Sequence, residues 1–251
     1  MEFRETTGDR ASTLLGGRLA FRQAATGYRS AIDPIVLAAA TAPPVAAQVF
    51  DLGCGAGALS LCLLRRRGDL SVVGLDLDGQ SVALARRNAR DNGLRDRFQV
   101  ISGDAADLPE ALRQRSFDWA VSNPPFYRSG AGGRSADRAK TRAHQEDGLD
   151  LRAWIAVLLR RLRPGGGLTL VHRADRLPDL LAGLEGRAGA VRILPLWPKQ
   201  GLPAKRVLVQ ARKGSRAPAA LLPGLILHGS DGGYSAAAEA ILRHGAALPM
   251  E

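Results

Sequence analysis

Asn123-Pro124-Pro125-Phe126 is the stretch whose residue types most openly permit chemistry. Two successive prolines fix φ and remove two N–H donors, so a chain arriving along Phe117-Asp118-Trp119-Ala120-Val121-Ser122 must leave a sheet there in an extended form. The carbonyls of Asn123 and Pro124 are then acceptors with no ladder to join, beside the amide of Asn123 and the flat face of Phe126. Oxygens that accept protons next to a ring suit a planar group carrying an –NH2. The bland alternative is a strand closed by a Pro-Pro turn with Phe126 in the core. The rest of the chain decides between them.

A second cluster lies upstream. Gly53-Cys54-Gly55-Ala56-Gly57 follows the strand-like Val49-Phe50-Asp51-Leu52 and precedes a helix-like run from Ala58 to Arg67. With Ala58 it fits the loose dinucleotide fingerprint, and Asp76 lies about twenty residues on, where a ribose hydroxyl would be held. The motif alone is ambiguous. Asp51 turns it, because a carboxylate two residues ahead of the glycines would repel a pyrophosphate but suits a ligand carrying an ammonium and a sulfonium. Gly103-Asp104, after the run Phe98-Gln99-Val100-Ile101, places a further acceptor where an adenine amine could lie.

These clusters need a frame that brings them together. Ser71–Asp76 reads as a second buried strand, Gln80–Asn92 as an amphipathic helix with Gly93 at its C′ position, and Phe117–Ser122 as a fourth strand. Strands alternating with helices imply a parallel sheet covered by helices on both sides. The remaining expectations are a short strand or hairpin around Gly16-Gly17, and a helix over Ile35–Ala40 with Asp33 as N-cap and Pro34 at its first position. A helix from Leu151 to Leu162 should stop at Arg163-Pro164-Gly165-Gly166-Gly167, followed by a strand over Leu168–His172. Val191–Leu196 and Arg206–Ala211 read as closing strands, and Ala236–Arg243 as a last helix. Residues 127–149 are basic and rich in glycine and serine, either a solvated loop or a lid over the substrate. The expected organisation is an N-terminal extension, 1–44, packed on one domain, 45–251.

The chain has 251 residues, 45% hydrophobic and 24% charged, enough for one sizeable core. A net charge of +11 favours a polyanionic partner, nucleic acid before an anionic membrane. Cys54 and Cys62 are the only cysteines and His144, His172, His228 and His244 are scattered, so a reduced, cytoplasmic, metal-free protein is the simplest account. The charged N-terminus has no apolar signal core, and no apolar run reaches the length of a membrane span.

Taken in order, Asp51-Leu52-Gly53-Cys54-Gly55-Ala56-Gly57, Asp76 and Gly103-Asp104 resemble the cofactor motifs of class I S-adenosylmethionine-dependent methyltransferases, which have a Rossmann-like α/β fold with a mostly parallel sheet and an antiparallel edge strand. Asn123-Pro124-Pro125-Phe126 resembles the catalytic signature of the branch that methylates amino groups. The resemblance implies that Asp51, Gly53, Gly55 and Gly57 hold the methionine end of S-adenosylmethionine. It gives the ribose hydroxyls to Asp76, the adenine face to Leu77 and the adenine amine to Asp104. Asn123, Pro124, Pro125 and Phe126 would serve the target amine.

Within that branch, protein glutamine N5-methyltransferases typically end the motif in tyrosine and carry a helical domain ahead of the sheet, and rRNA guanine-N2 enzymes often carry a duplicated N-terminal half. Fewer than 50 residues precede the sheet here. Phe21-Arg22-Gln23, Gly27-Tyr28-Arg29-Ser30-Ala31-Ile32-Asp33 and Lys205 to Gly214 are more similar to the bacterial tRNA(Val) adenine-N6 methyltransferases. Leu227-His228 and Gly233-Tyr234-Ser235 fit that family as well; Pro34, Val36 and the Ala38–Ala40 run depart from its bulkier helix. That resemblance implies a tRNA substrate, with Arg128, Lys140, Arg142, Lys205 and Arg206 as its contacts. A non-enzymatic RNA-binding module with a vestigial cofactor fold is argued against by the intact Asp51, Asp76 and Asn123.

Overall fold

Val49, Phe50, Asp51 and Leu52 are all buried, as are Val72 to Leu75, the pattern of parallel strands covered on both faces. The structure, a computed structural model, describes residues 9–24, 32–125 and 149–251. Phe126, Arg128, Lys140, Arg142, the basic loop and the Gly27–Ala31 segment lie outside the described residues.

The chain opens with a hairpin, β1 (Asp9–Leu14) and β2 (Leu19–Ala24), turning through Gly16 and Gly17 at positive φ, as the glycine pair predicts. Helix α1 (Asp33–Ala40) follows. Then come β3 (Gln48–Leu52), α2 (Ala58–Arg66), β4 (Ser71–Asp76), α3 (Gly79–Asp91), β5 (Phe98–Ser102), the short α4 (Glu110–Arg113) and β6 (Phe117–Ser122). The chain continues through α5 (Leu151–Arg161), β7 (Leu162–Arg173), α6 (Leu177–Leu184), β8 (Ala188–Trp197), β9 (Arg206–Lys213), β10 (Ala220–Leu221), β11 (Leu225–Ile226) and α7 (Ala236–His244).

Among the described residues a nine-stranded sheet runs β10-β8-β9-β7-β6-β3-β4-β5, with β11 also beside β8. β3 to β7 pair in parallel, and β9 runs against β7 and β8. The antiparallel pairing thus lies toward one edge, as expected, with β8 beyond it. β3 has β4 on one side and β6 on the other, so the strand order reverses at β3 and β6. In such sheets ligands bind outside the carboxyl ends at this switch point.

Helices cover both faces. Leu37, Leu61, Ala85 and Ile241, from α1, α2, α3 and α7, share one core with the hairpin residues Leu19 and Phe21. Ile155 and Leu158 from α5, with Leu180 and Leu184 from α6, pack on Phe50, Leu52 and Val73 on the other face. The hairpin is tied to α3 by two asparagines one turn apart. Asn92 accepts from the Ala20 N–H and donates to its carbonyl, while Asn88 does the same for Arg22. Side-chain amides thus act as a strand partner for the free edge of β2.

Two local expectations are corrected. Asp33 does not cap α1: Ile32 is the N-cap, no side-chain cap bond forms, and the Asp33 carboxylate accepts instead from Arg206 Nε at 3.0 Å. A buried carboxylate is better satisfied by a guanidinium than by one more N–H. Pro164 to Gly167 do not separate α5 from its strand but form the first part of β7. Gly167 is required there because a Cβ would lie 2.4 Å from the ring of Trp119.

Candidate active site

β3 ends in a loop whose shape only glycine permits. Gly53, Gly55 and Gly57 all have positive φ, at 72°, 53° and 88°. At Gly53 a Cβ would meet the Trp154 ring at 3.0 Å, and at Gly57 the Phe98 ring at 2.8 Å. At Gly55 it would meet nothing, so this face of the loop is open to a ligand. The N–H groups of Gly53 and Cys54 both donate to the Leu75 carbonyl, which ties the loop down to β4.

Two carboxylates flank the loop. Asp51 is buried and accepts from Ser60 Oγ at 2.6 Å. Burial pushes its pKa up to about 7; the Ser60 hydroxyl works against that rise, and the Asp76 charge adds to it. Asp76 ends β4 and is oriented by backbone donors, from Gly55 N–H at 2.7 Å and Asp78 N–H at 3.0 Å. Burial raises its pKa too, against those two donors. Leu77, next to it, is 58% exposed, an apolar side chain left on the surface beside an acid. Asp104 is half-buried after β5 and accepts from the Ala106 N–H at 2.7 Å. The set fits S-adenosylmethionine: carboxylate acceptors for hydroxyls, an apolar platform for adenine, a buried acid for a cationic end, and an open glycine face.

Asn123-Pro124-Pro125 leaves β6 one strand away. Asn123 is half-buried, with Oδ1 shielded from solvent, and Pro124 is buried. Ser122, just ahead of them, is fully buried and donates through Oγ to the Leu52 carbonyl at 2.6 Å. Trp154, from α5, donates its indole N–H to Ser122 Oγ at 2.9 Å while its ring lies against Gly53. One indole and one hydroxyl thereby lock the glycine loop and the Asn-Pro-Pro exit into a single register. On the far side, His172 on β7 is buried, and that burial pushes its pKa down to about 4.

Beyond His172 the carboxyl edge carries paired charges, Arg173 with Asp175 and Arg206 with Asp33, and Lys205 beside them. Arg173 lies opposite Arg206 across β7 and β9. With Asp175, Ala204 and Lys205 they line a cavity of about 300 Å³. A cavity of about 380 Å³ around Pro164, Arg212 and Lys213 lies at the other end of the same strands, away from the glycine loop.

The structure therefore brings Asp51, Gly53, Gly55, Gly57, Asp76, Leu77 and Asp104 to the carboxyl ends of the neighbouring strands β3, β4 and β5, with Asn123, Pro124 and Pro125 at the end of β6 and Lys205 and Arg206 further along that edge. Trp154, Ser122 and His172 were not among the residues singled out from sequence. Each reads as an ordinary core residue, and only the position of Ser122 directly before Asn123 could have drawn attention to it.

The methyltransferase small domain family model matches residues 35–184. A tRNA1(Val) (adenine(37)-N6)-methyltransferase of Porphyromonas gingivalis is 32% identical over 74% of this chain and 74% of its own length. A second from that species is 31% identical over 85% and 86%, and one from Aeromonas hydrophila is 29% identical over 81% and 84%. Among solved structures, a protein from Agrobacterium tumefaciens titled a predicted O-methyltransferase superposes with a TM-score of 0.71 at 25% identity, covering 86% of this chain and 98% of the other.

Proposed function

The chain belongs to the methyltransferase small domain family, and from that premise we propose that it uses S-adenosylmethionine to methylate N6 of an adenine in RNA, in the anticodon loop of a valine tRNA. The observation that carries the reading is the adjacency of two strand ends: the glycine crevice after β3 and Asn123-Pro124-Pro125 after β6, braced together through Ser122 and Trp154.

An exocyclic aromatic amine is a weak nucleophile because its lone pair is delocalised into the ring. Asn123 Oδ1 and the Pro124 carbonyl accept the two amine hydrogens, which favours a pyramidal nitrogen and tolerates the positive charge that builds on it. Bound S-adenosylmethionine supplies an electrophilic methyl group on a sulfonium. The nitrogen lone pair would take the methyl group that the cofactor supplies, and the surplus proton would leave the nitrogen to solvent while Asn123 and Pro124 hold the amine in place. Positioning does most of the work, and no covalent enzyme intermediate is needed. Phe126 stacks on the base in this reading. An unpaired loop base costs less to present than one in a duplex.

A paired set of acceptors favours an amine over a hydroxyl, which needs only one. The glutamine N5 reading uses the same pair. The net charge of +11 favours RNA over it, with Lys205 at the carboxyl edge placed to meet a phosphate, while Arg173 and Arg206 are paired with Asp175 and Asp33. Residues 1–44 act as an extension serving the domain 45–251: Asn88 links Arg22 of the hairpin to the Ala56 carbonyl in the glycine loop. An RNA substrate puts the reaction in the cytoplasm.

The test is transfer from labelled S-adenosylmethionine to total unmodified tRNA, followed by nucleoside analysis. N6-methyladenosine in one valine tRNA is the expected result. Label in a protein fraction and none in RNA overturns the reading in favour of glutamine.

A further inference from the structure

Asn88, on α3, is 0% exposed and uses its amide in two directions. Toward the hairpin, Oδ1 accepts from the Arg22 N–H and Nδ2 donates to the Arg22 carbonyl, both at 2.9 Å. Toward the cofactor loop, Nδ2 donates to the Ala56 carbonyl, also at 2.9 Å. Asn92, one turn on, grips the hairpin in the same way at Ala20, but its other donation returns to the Asn88 carbonyl within the helix. Both side chains hold the same strand, and Asn88 holds the loop as well.

The Ala56 carbonyl belongs to the planar peptide unit that it shares with the Gly57 N–H. That N–H donates to the Cys54 carbonyl at 2.9 Å, so the unit is pinned at both polar ends, once inside the loop and once by Asn88. Gly57 has φ 88° and is the N-cap of α2. Without Asn88 this peptide is free to turn, and the open face at Gly55 turns with it. An amide suits the place because it donates twice and accepts as well; a carboxylate of the same shape cannot donate.

We propose that Asn88 is a positioning residue for S-adenosylmethionine and that it makes the N-terminal hairpin part of the cofactor site. The attached hairpin keeps the glycine loop in its binding shape, and a bound cofactor tightens the hairpin. These are one coupling read from two sides, because linkage is reciprocal. The inference rests on the cofactor in the proposed reading and not on its RNA.

The test compares Asn88→Leu with Asn92→Leu, the same change one turn apart, and uses S-adenosylhomocysteine as the probe. Calorimetry gives the Kd of the probe and thermal melting gives stability. Amide exchange at Ala20, with and without the probe, reports on the hairpin. Both variants lose hairpin bonds and should melt earlier than the wild type. Asn88→Leu should also raise the Kd about 5- to 10-fold, the weight of one hydrogen bond, while Asn92→Leu stays within about twofold. In the wild type the probe should slow Ala20 exchange by a similar factor, about 5- to 10-fold. In Asn88→Leu, where Asn92 still holds Ala20, saturating probe should leave that rate unchanged.

Equal Kd values in the two variants overturn the proposal, since a merely structural role predicts them. So does an Ala20 rate in the wild type that ignores the probe. Should Asn88→Leu not fold, that wild-type measurement decides alone. Neither arm contains RNA, so failure to methylate tRNA bears on the substrate reading and not on Asn88. A wild type that binds no probe overturns the cofactor reading and this proposal together.

Discussion

At the ends of β3 and β4, bonds span short stretches of chain: Ser60 to Asp51 across 9 residues, Gly55 to Asp76 across 21. At the ends of β6, β7 and β9 they span longer ones: Trp154 to Ser122 across 32 residues, Arg206 to Asp33 across 173. The cofactor crevice is made mostly of backbone, three glycines at positive φ and main-chain donors aimed at a carboxylate. The substrate side is made of side chains that arrive from distant elements. The cofactor side follows from strand–loop–helix units that succeed one another in the chain, β3 to β5, whereas the substrate side joins elements far apart in sequence. The two sides should therefore fail separately when mutated.

The largest effect should come from Asn123→Ala. Methyl transfer falls by about 100- to 1,000-fold, the usual cost of removing one group that stabilises developing charge, while calorimetry finds cofactor binding intact. Loss of both together would mean that Asn123 is needed for the fold, and would break the comparison. Asp76→Ala is the mirror image. Its cofactor Kd should rise by about 10- to 100-fold, matching the loss of hydrogen bonds to a charged group, with kcat at saturating cofactor close to normal.

A pH series sharpens the contrast. With its pKa pushed up to about 7, Asp51 keeps its proton in the folded state over a range where the unfolded chain has released it. Its contribution to stability therefore falls as pH rises from about 4 to about 7, and levels off above. Cofactor affinity should move the other way, tightening as Asp51 ionises through about pH 7, by at most about tenfold per pH unit for one proton. Asp51→Asn should flatten both curves, as melting and calorimetry at several pH values can check. A normal curve in Asp51→Asn would assign the titration to another group, with Asp76 the next candidate.

The smallest effect is expected from Lys205→Ala. One lost phosphate contact should raise the KM for tRNA about two- to fivefold at low salt and lower the salt slope by about one, leaving cofactor binding alone. A salt-independent effect would remove Lys205 from the RNA surface.

The same division governs how much could be read before the structure. The strand–glycine loop–helix unit, the acids that end β3 and β4, and the Pro-Pro exit from β6 were legible because each is a local rule, a run of buried residues punctuated by a glycine or proline. Asp33 shows where local reading fails. An Asp before a proline at a helix start is a good cap on local grounds, yet Arg206 claims it across 173 residues. The glycines after Arg163 misled in the same way. They look like a breaker between helix and strand, but Gly167 is there to admit the ring of Trp119.

The residues themselves determined the chemistry on offer: a glycine crevice flanked by carboxylates, and an amide followed by two prolines that cannot donate. Those are covalent facts, indifferent to what lies nearby. Only the tertiary structure decided that β3 and β6 are neighbours, that Trp154 joins their two loops through Ser122, and that Arg206 meets Asp33. Such contacts depend on sheet order and register, and a buried serine, tryptophan or aspartate carries no mark in the sequence of the partner it will find.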